Sequence, residues 1–356
     1  MKLTSRIVYL PVLSSLLVFG LSSAAQAGDI TVMGYRSGGF QENYIKVVIE
    51  PFEKVHPDIK VNYYGVQNAA FALGVMRAQK SAPQVDAVIF DLSVAKLAKE
   101  EGLITEASAA SIPNSQQLGN VGRELGNYAL PITYDTYALI YNKAKFATPP
   151  DTWNSLWDAD FKGKVVIPAQ GGGDIQAIAL TLITNHMAGQ DDYKISVKPG
   201  VKRLVELAPS VQTWEPKPDQ YTLVANGTAQ LGVGWNARSQ FYIDLTEGRV
   251  ATTLPKEGSV MQVNVISPLA GTNKLKDTEV FINYALSAEA QQRFAELMYY
   301  APTNQQSQLS DSLRARIPLL DVAHPPKILP VDWVKVASSR EDLLRPWRRE
   351  IIPASR

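Results

Sequence analysis

The sequence contains no cysteine, which excludes disulfides, thiolate nucleophiles and cysteine-ligated zinc, iron–sulfur and haem sites together. Its 3 histidines, His56, His186 and His324, lie far apart and lack the HxxxH spacing of a helix-borne metal site. Neither sign of charge is in excess: 35 basic residues stand against 34 acidic ones. The chain therefore has no basic field with which to hold nucleic-acid phosphates or an anionic membrane surface. Catalytic signatures are missing as well, since there is no GxSxG elbow, no Walker A loop, no HExxH and no SxxK. No catalytic residue, metal ligand or cofactor is assigned on this reading. After Ala27 no apolar run approaches the roughly twenty residues of a membrane span.

What is present is a chain of 356 residues, 46% of them hydrophobic, long enough for two domains that each bury a core. Residues 1–27 read as an export signal, with Lys2 and Arg6 at a cationic start, an apolar run from Ile7 to Leu21, and Ala25-Gln26-Ala27 as a small-x-small cleavage site. A periplasmic location is expected.

From Gly28 onward, β-rich runs alternate with amphipathic helical stretches, the pattern of an α/β fold with mainly parallel sheets. Strands are expected at Asp29 to Gly34, Lys60 to Tyr64 and Val85 to Phe90. The helices between them run from Phe40 to Phe52 and from Ala69 to Gln79, and a further helix runs from Val94 to Glu101. The apolar run Ala129 to Tyr134 and a strand from Tyr137 to Asn142 follow. After Pro149-Pro150 come a helix with Trp153, Leu156 and Trp157, a strand Gly163 to Pro168, a helix from Asp174, and a buried strand Ala229 to Trp235. Near Val263 to Pro268 the chain crosses back, ahead of helices at Asp277 to Leu286 and Ser287 to Met298. Such crossings imply two lobes, a hinge and a cleft between them. The expected division is 28–135 with 265–301 as lobe 1, 136–264 as lobe 2, and 302–356 as a tail packing mainly on lobe 2.

Aromatic residues at the ends of these runs, Tyr35, Tyr134, Trp235 and Tyr300, fall in the loops that line the cleft of an open α/β sheet. Their faces suit methylenes and a cationic amine; core packing is the competing account of each. Asp91 and Asp135 stand where a carboxylate can pair with a ligand ammonium, and Arg36 and Arg238 where a guanidinium can clamp an acid. Asp174, Gln262 and Asn264 complete the polar candidates, with capping or solvated roles as the alternative. The run Gly171-Gly172-Gly173 entering a helix offers an anion seat, with Asp174 competing for it. Gly232-Val-Gly234-Trp-Asn-Ala237 fits GxGxxA, but Trp235 stands where a pyrophosphate needs bare backbone.

Several segments together resemble a known family. They are Pro51-Phe52-Glu53-Lys54, Thr152-Trp153-x-x-Leu156-Trp157 with Phe161-Lys-Gly-Lys164, Gly234-Trp235-Asn236, Pro255-Lys256-Glu257-Gly258 and Tyr300-Ala-Pro-Thr-Asn304. In order and across nearly the whole chain they are similar to periplasmic solute-binding proteins of ABC importers, nearest to the spermidine/putrescine-binding group. The resemblance implies a two-lobed type II periplasmic binding protein fold, a monomer that closes on a solute by hinge motion, no enzymatic activity, and an inner-membrane ABC permease as partner. It also implies ligand-facing roles for Tyr35, Trp235 and Tyr300.

This chain departs from the polyamine pattern in a chemical direction. After Gly258 the family has a tryptophan and an aspartate, where this sequence has Gln262 and Asn264. Asp135 replaces a small residue, and an acidic pair after Pro168 is reduced to Asp174. A buried dication needs a carboxylate at each end, because an unpaired buried ammonium costs about several kcal/mol. The expected ligand is therefore a small amine-containing solute, polyamine-like, γ-aminobutyrate-like or opine-like, and the departures favour one cationic amine, with or without one carboxylate, over a true polyamine. Two alternatives stand beside it. A ferric-ion receptor of the same fold would use adjacent tyrosines, present at Tyr63-Tyr64 and Tyr299-Tyr300 but not after the strand ending at Trp235. A secreted hydrolase would use a carboxylate pair that no spacing singles out.

Overall fold

The structure, a computed structural model, describes residues 28–121, 125–170 and 174–355. Residues 1–27, where an export signal is expected, and the glycine run Gly171-Gly172-Gly173 lie outside the described residues. The first lobe opens with β1 (Gly28–Tyr35), a helical stretch made of α1 (Phe40–Tyr44), a π-helical turn (Ile45–Ile49) and α2 (Glu50–Val55), then β2 (Ile59–Val66). It continues through α3 (Ala69–Ala78), β3 (Ala87–Asp91) and α4 (Leu92–Glu100) to the crossing strand β4 (Leu130–Asn142). The second lobe holds β5 (Val165–Val166), α5 (Asp174–Met187), α6 (Lys198–Leu207), β6 (Val211–Thr213), α7 (Gln220–Ala225), β7 (Leu231–Trp235), α8 (Asn236–Leu245) and β8 (Val250–Thr253). The return strand β9 (Met261–Pro268) leads to α9 (Leu275–Ala285), α10 (Ala288–Met298) and β10 (Ala301–Pro302), and the tail forms α11 (Asp311–Arg314) and α12 (Trp333–Pro346).

The π-helical turn has a local cause. Pro51 has no N–H, so the Val47 carbonyl loses its partner one turn on. Arg293 Nε donates to that carbonyl at 3.0 Å instead, while Phe40, Tyr44, Val48 and Phe52 keep one buried face.

The strand order β2-β1-β3-β9-β4-β7-β5-β6 runs through both lobes. β1 pairs parallel with β2 and β3, and β5 pairs parallel with β6 and β7. The crossing strands are antiparallel: β9 lies between β3 and β4, and β4 also pairs with β7 and β8. The α/β class read from the sequence holds, but the sheet is mixed rather than mainly parallel, because the strands that pass between lobes run against their neighbours.

β4 is one strand of 13 residues where two separate runs were expected. Pro131 coincides with the one register shift in its pairing with β9, which lets the ladder pass a residue that cannot donate. Leu130 to Thr136 pair with β9 and Tyr137 to Tyr141 with β7, so this strand belongs to both sheets. Among the described residues, no helix is long and apolar enough to cross a membrane.

The last helix of the tail, α12, bridges the lobes, while residues 347–355 pack against α6 and the turn after it in the second lobe. The buried stripe of α12 is Trp333, Val336, Ala337, Arg340, Leu343 and Leu344. It packs against α4 of the first lobe and α5 of the second.

Candidate ligand-binding cleft

A cavity of about 370 Å³ lies between the lobes at the carboxyl ends of β1, β3 and β7. Its size is that of a pocket for a small solute. Of the residues singled out by sequence, Tyr35, Arg36, Asp91, Asp174, Trp235, Arg238, Gln262, Asn264 and Tyr300 all line it. Tyr134 and Asp135 do not.

Strand alternation accounts for Tyr134, and hydrogen bonding to the backbone for Asp135. Tyr134 sits in the middle of β4, opposite Val263, and turns its ring to the cluster of Ala295, Ala301, Leu313 and Ile317. Asp135 is opposite Gln262 and shares its face, but it is drawn into the backbone. One oxygen, Oδ1, accepts from the amides of Thr136 at 2.7 Å and Ala237 at 3.0 Å, so Asp135 holds the first turn of α8. The other, Oδ2, is buried with no hydrogen-bond donor among the described residues. Burial raises the pKa of this carboxyl to about 7, against the opposing pull of the Ala237 and Thr136 amides and of Arg238.

The floor is a hydrogen-bonded row. Tyr35 donates its hydroxyl to Asn264 Oδ1 at 3.2 Å, and Asn264 Nδ2 donates to Thr133 Oγ1 at 2.9 Å. The neutral amide thus stitches the aromatic wall to the crossing strands. Gln262, beside it on the same face of β9, is buried, lines the cavity, and makes no side-chain hydrogen bond to protein among the described residues. Burial pushes the phenols of Tyr35 and Tyr300 upward, so both stay protonated.

Four acidic side chains, Asp91, Asp174, Glu215 and Asp219, and four basic ones, Arg36, Lys217, Arg238 and Arg340, line the cavity. Their pairing is uneven. Arg340 takes Asp174 at 3.0 Å and Lys217 takes Glu215 at 3.4 Å. Asp219 caps α7 through Thr222 and accepts from the Tyr242 hydroxyl. Asp91 caps α4, with Oδ1 accepting from Ser93 Oγ at 2.6 Å and the Val94 amide at 3.3 Å, and Oδ2 free of donors among the described residues. Arg238 donates from Nε to Tyr300 at 3.3 Å and has no carboxylate partner among the described residues, and the same is true of Arg36.

Arg238 is placed by a glycine turn that the sequence reading passed over. Gly38 and Gly39 have φ of 64° and 75°, and side chains at these positions would collide with Arg238 and Phe241. The β1–α1 loop thus folds down onto α8 from the other lobe. Also missed was the segment Glu215-Pro216-Lys217-Pro218-Asp219, which lines one wall; its charges alternating with prolines were the available signal. Arg340, at the far end of the chain, gave none.

The adjacent tyrosines do not assemble. Tyr63 donates to the Tyr35 carbonyl while Tyr64 is exposed, and Tyr299 bonds Asp244 outside the cavity while Tyr300 lines it.

A family model for bacterial extracellular solute-binding proteins matches residues 48–317. The chain belongs to that family. A periplasmic protein of Salmonella typhi named for 2-aminoethylphosphonate binding is 24% identical over 315 residues, covering 84% of this chain and 86% of the relative. "Spermidine/putrescine-binding periplasmic protein 1" of Haemophilus influenzae is 24% identical over 217 residues, 59% of each chain. The periplasmic binding protein AfuA of Actinobacillus pleuropneumoniae, solved with fructose-6-phosphate bound, superposes with a TM-score of 0.75 at 20% identity, covering 91% of this chain and 98% of that one. At that identity the superposition establishes the shared two-lobed fold of periplasmic binding proteins, and the solute-binding protein described here has it.

Proposed function

We propose that this protein is the periplasmic solute-binding component of an ABC importer, and that its solute is a small zwitterion with one ammonium and one acidic group, a carboxylate or a phosphonate. The observation that carries this reading is Arg238, a guanidinium lining the cleft with a phenol and no carboxylate for a partner among the described residues. A permanent cation on a cavity wall is completed by an anion, and its planar fork suits a carboxylate or phosphonate oxygen pair. Arg36, exposed at the cavity mouth, adds a second positive charge.

The ammonium end has one candidate, Asp91 Oδ2. Asp174 and Glu215 are already neutralised by Arg340 and Lys217, and Asp219 is held by hydroxyls and an amide. Tyr35, Trp235 and Tyr300 supply the faces between the two ends. A diamine would need a second open carboxylate, and the pairing leaves none. The 2-aminoethylphosphonate relative supports the choice, since its named solute carries this pair of groups.

Capture follows from the topology. β4 and β9 are the strands shared between lobes, so flexing there opens or closes the cleft, and a solute bridging Arg238 and Asp91 stabilises the closed arrangement by its differential affinity for it. Isothermal titration of the purified protein against 2-aminoethylphosphonate, γ-aminobutyrate, putrescine and spermidine tests the reading. Saturable binding of at least one of the zwitterions, with weak or absent polyamine binding, is the expected result. Tight putrescine binding with no response to either zwitterion overturns it.

A further inference from the structure

The helix α12 carries one charged residue in an otherwise apolar buried stripe: Arg340, between Val336 and Ala337 on one side and Leu343 and Leu344 on the other. Two tryptophans fix the helix. Trp333 Nε1 donates to the Met261 carbonyl on β9 at 2.5 Å, and Trp347 Nε1 donates to Thr181 Oγ1 on α5 at 2.8 Å. The guanidinium is thereby delivered into the cleft, where it pairs with Asp174 at 3.0 Å and meets Ser93 Oγ at 3.4 Å. Ser93 in turn donates to Asp91 at 2.6 Å. The tail cation thus stands between the two acidic residues contributed by opposite lobes.

We propose that Arg340 is a selectivity-determining residue, an internal cation that occupies Asp174 in the place a second ligand ammonium would take, and so excludes diamines from the cleft. This deepens, and rests on, the zwitterion reading above. A side chain anchored by its own helix holds its charge at Asp174 without the entropy cost of binding a free ligand. Any diamine must either displace it or enter with one ammonium unpaired, and both are unfavourable once the cleft closes over the solute. Removing the guanidinium uncovers Asp174 and shifts the cavity lining by one negative charge.

The test is titration of putrescine and 2-aminoethylphosphonate into the wild type, Arg340→Met, Arg340→Gln, Arg340→Lys and the double variant Arg340→Met with Asp174→Asn, with melting curves to certify folding. Putrescine affinity is expected to rise on the order of tenfold or more in Arg340→Met and Arg340→Gln. It should not rise in Arg340→Lys, which keeps the charge, and the gain should vanish in the double variant. Folded Arg340→Met or Arg340→Gln with unchanged putrescine affinity overturns the inference, as does a gain that survives Asp174→Asn. Should neither Arg340 variant fold, Asp174→Asn alone decides. It leaves Arg340 unpaired, and a gain in affinity for the dianion phosphonoacetate is expected; no gain overturns the assignment. Wild-type protein that ignores zwitterions while Arg340→Met gains putrescine defeats the zwitterion reading and leaves the Arg340 assignment standing. Tight putrescine binding by the wild type defeats both.

Discussion

Arg238 and Tyr300 meet at 3.3 Å across the cleft, guanidinium Nε to phenol oxygen, joining the first turns of α8 to the segment that follows α10. The phenol fixes the orientation of the guanidinium without neutralising it. Phe40 lies under the same group, with its ring centre 6.0 Å from the guanidinium carbon. A cation held by neutral partners keeps its full attraction for a ligand anion.

Arg238→Met is therefore expected to weaken binding of an acidic solute by about one to two orders of magnitude, the worth of one charge-assisted hydrogen-bonded contact at roughly 1.5–3 kcal/mol. Arg238→Lys restores the charge but not the fork, and should recover only part of the loss. Tyr300→Phe should cost less than either, since it removes the orienting contact and leaves the charge. Titration calorimetry on the three variants checks the order, and an Arg238→Met protein that binds as tightly as the wild type contradicts the assigned role.

Asp135 makes stability depend on pH in a direction opposite to most carboxylates. Its pKa is about 7 in the fold and about 4 in an unfolded chain. Between those values the folded state holds a proton that the unfolded state has released, so stability falls as pH rises from about 4 to about 7. Asp135→Asn keeps an acceptor for the Ala237 and Thr136 amides and removes the titration. The variant should gain on the order of 2–4 kcal/mol over the wild type at pH 8, and the difference should shrink progressively toward pH 4. Urea unfolding across that range measures it; a variant-minus-wild-type difference that does not change with pH counts against this account.

Gly38 and Gly102 separate backbone strain from a steric role. Both have positive φ, 64° and 65°, so alanine at either costs about 1–2 kcal/mol from the left-handed conformation alone. At Gly102 the added carbon meets nothing, whereas at Gly38 it meets Arg238. Gly38→Ala should therefore lower solute affinity in addition to stability, and Gly102→Ala should lower stability only. Equal affinities in the two variants would refute the assigned contact.

Much of the cleft was legible because strand ends are. Tyr35, Asp91 and Trp235 close apolar runs, and in a sheet of this class the loops after such runs face the cleft. Arg238 was read as a polar neighbour of Trp235, and Asn264 stood out as an amide where the polyamine pattern has an aspartate. Tyr134 and Asp135 were misplaced for the same reason: two runs were read where β4 is continuous, so supposed loop residues sit inside a ladder. Arg340 was invisible because its neighbours Trp333, Val336, Leu343 and Leu344 read as an ordinary core stripe, and nothing local reveals that Asp174 lies opposite. That pairing exists only once α12 is laid across α4 and α5. The two-lobed organisation was legible from the alternation of elements, whereas the antiparallel crossing of β4 and β9 depends on pairings between residues well over a hundred positions apart, such as Leu130 with Ile266.

Tyr221 lines the cleft and also braces the end of β7, and Tyr221→Phe should separate stability from charge recognition. The amide of Trp235 donates to the Tyr221 hydroxyl at 2.9 Å in a fully buried setting, and the ring lies where any side chain at Gly234 would stand, 2.7 Å from its first carbon. Glycine at 234 is thus required for the ring to reach the strand end, and the ring for the strand-end amide to be satisfied. Tyr221→Phe leaves that amide without a partner and should destabilise the protein by about 1–3 kcal/mol. Because Trp235 then loses its backbone tether, affinity should fall for cationic and anionic ligands alike, in contrast to Arg238→Met, whose loss is confined to acidic ones. Thermal melts with parallel titrations of an amine and an acid measure both effects, and a Tyr221→Phe protein with the wild-type melting temperature would show that the hydroxyl carries no such load.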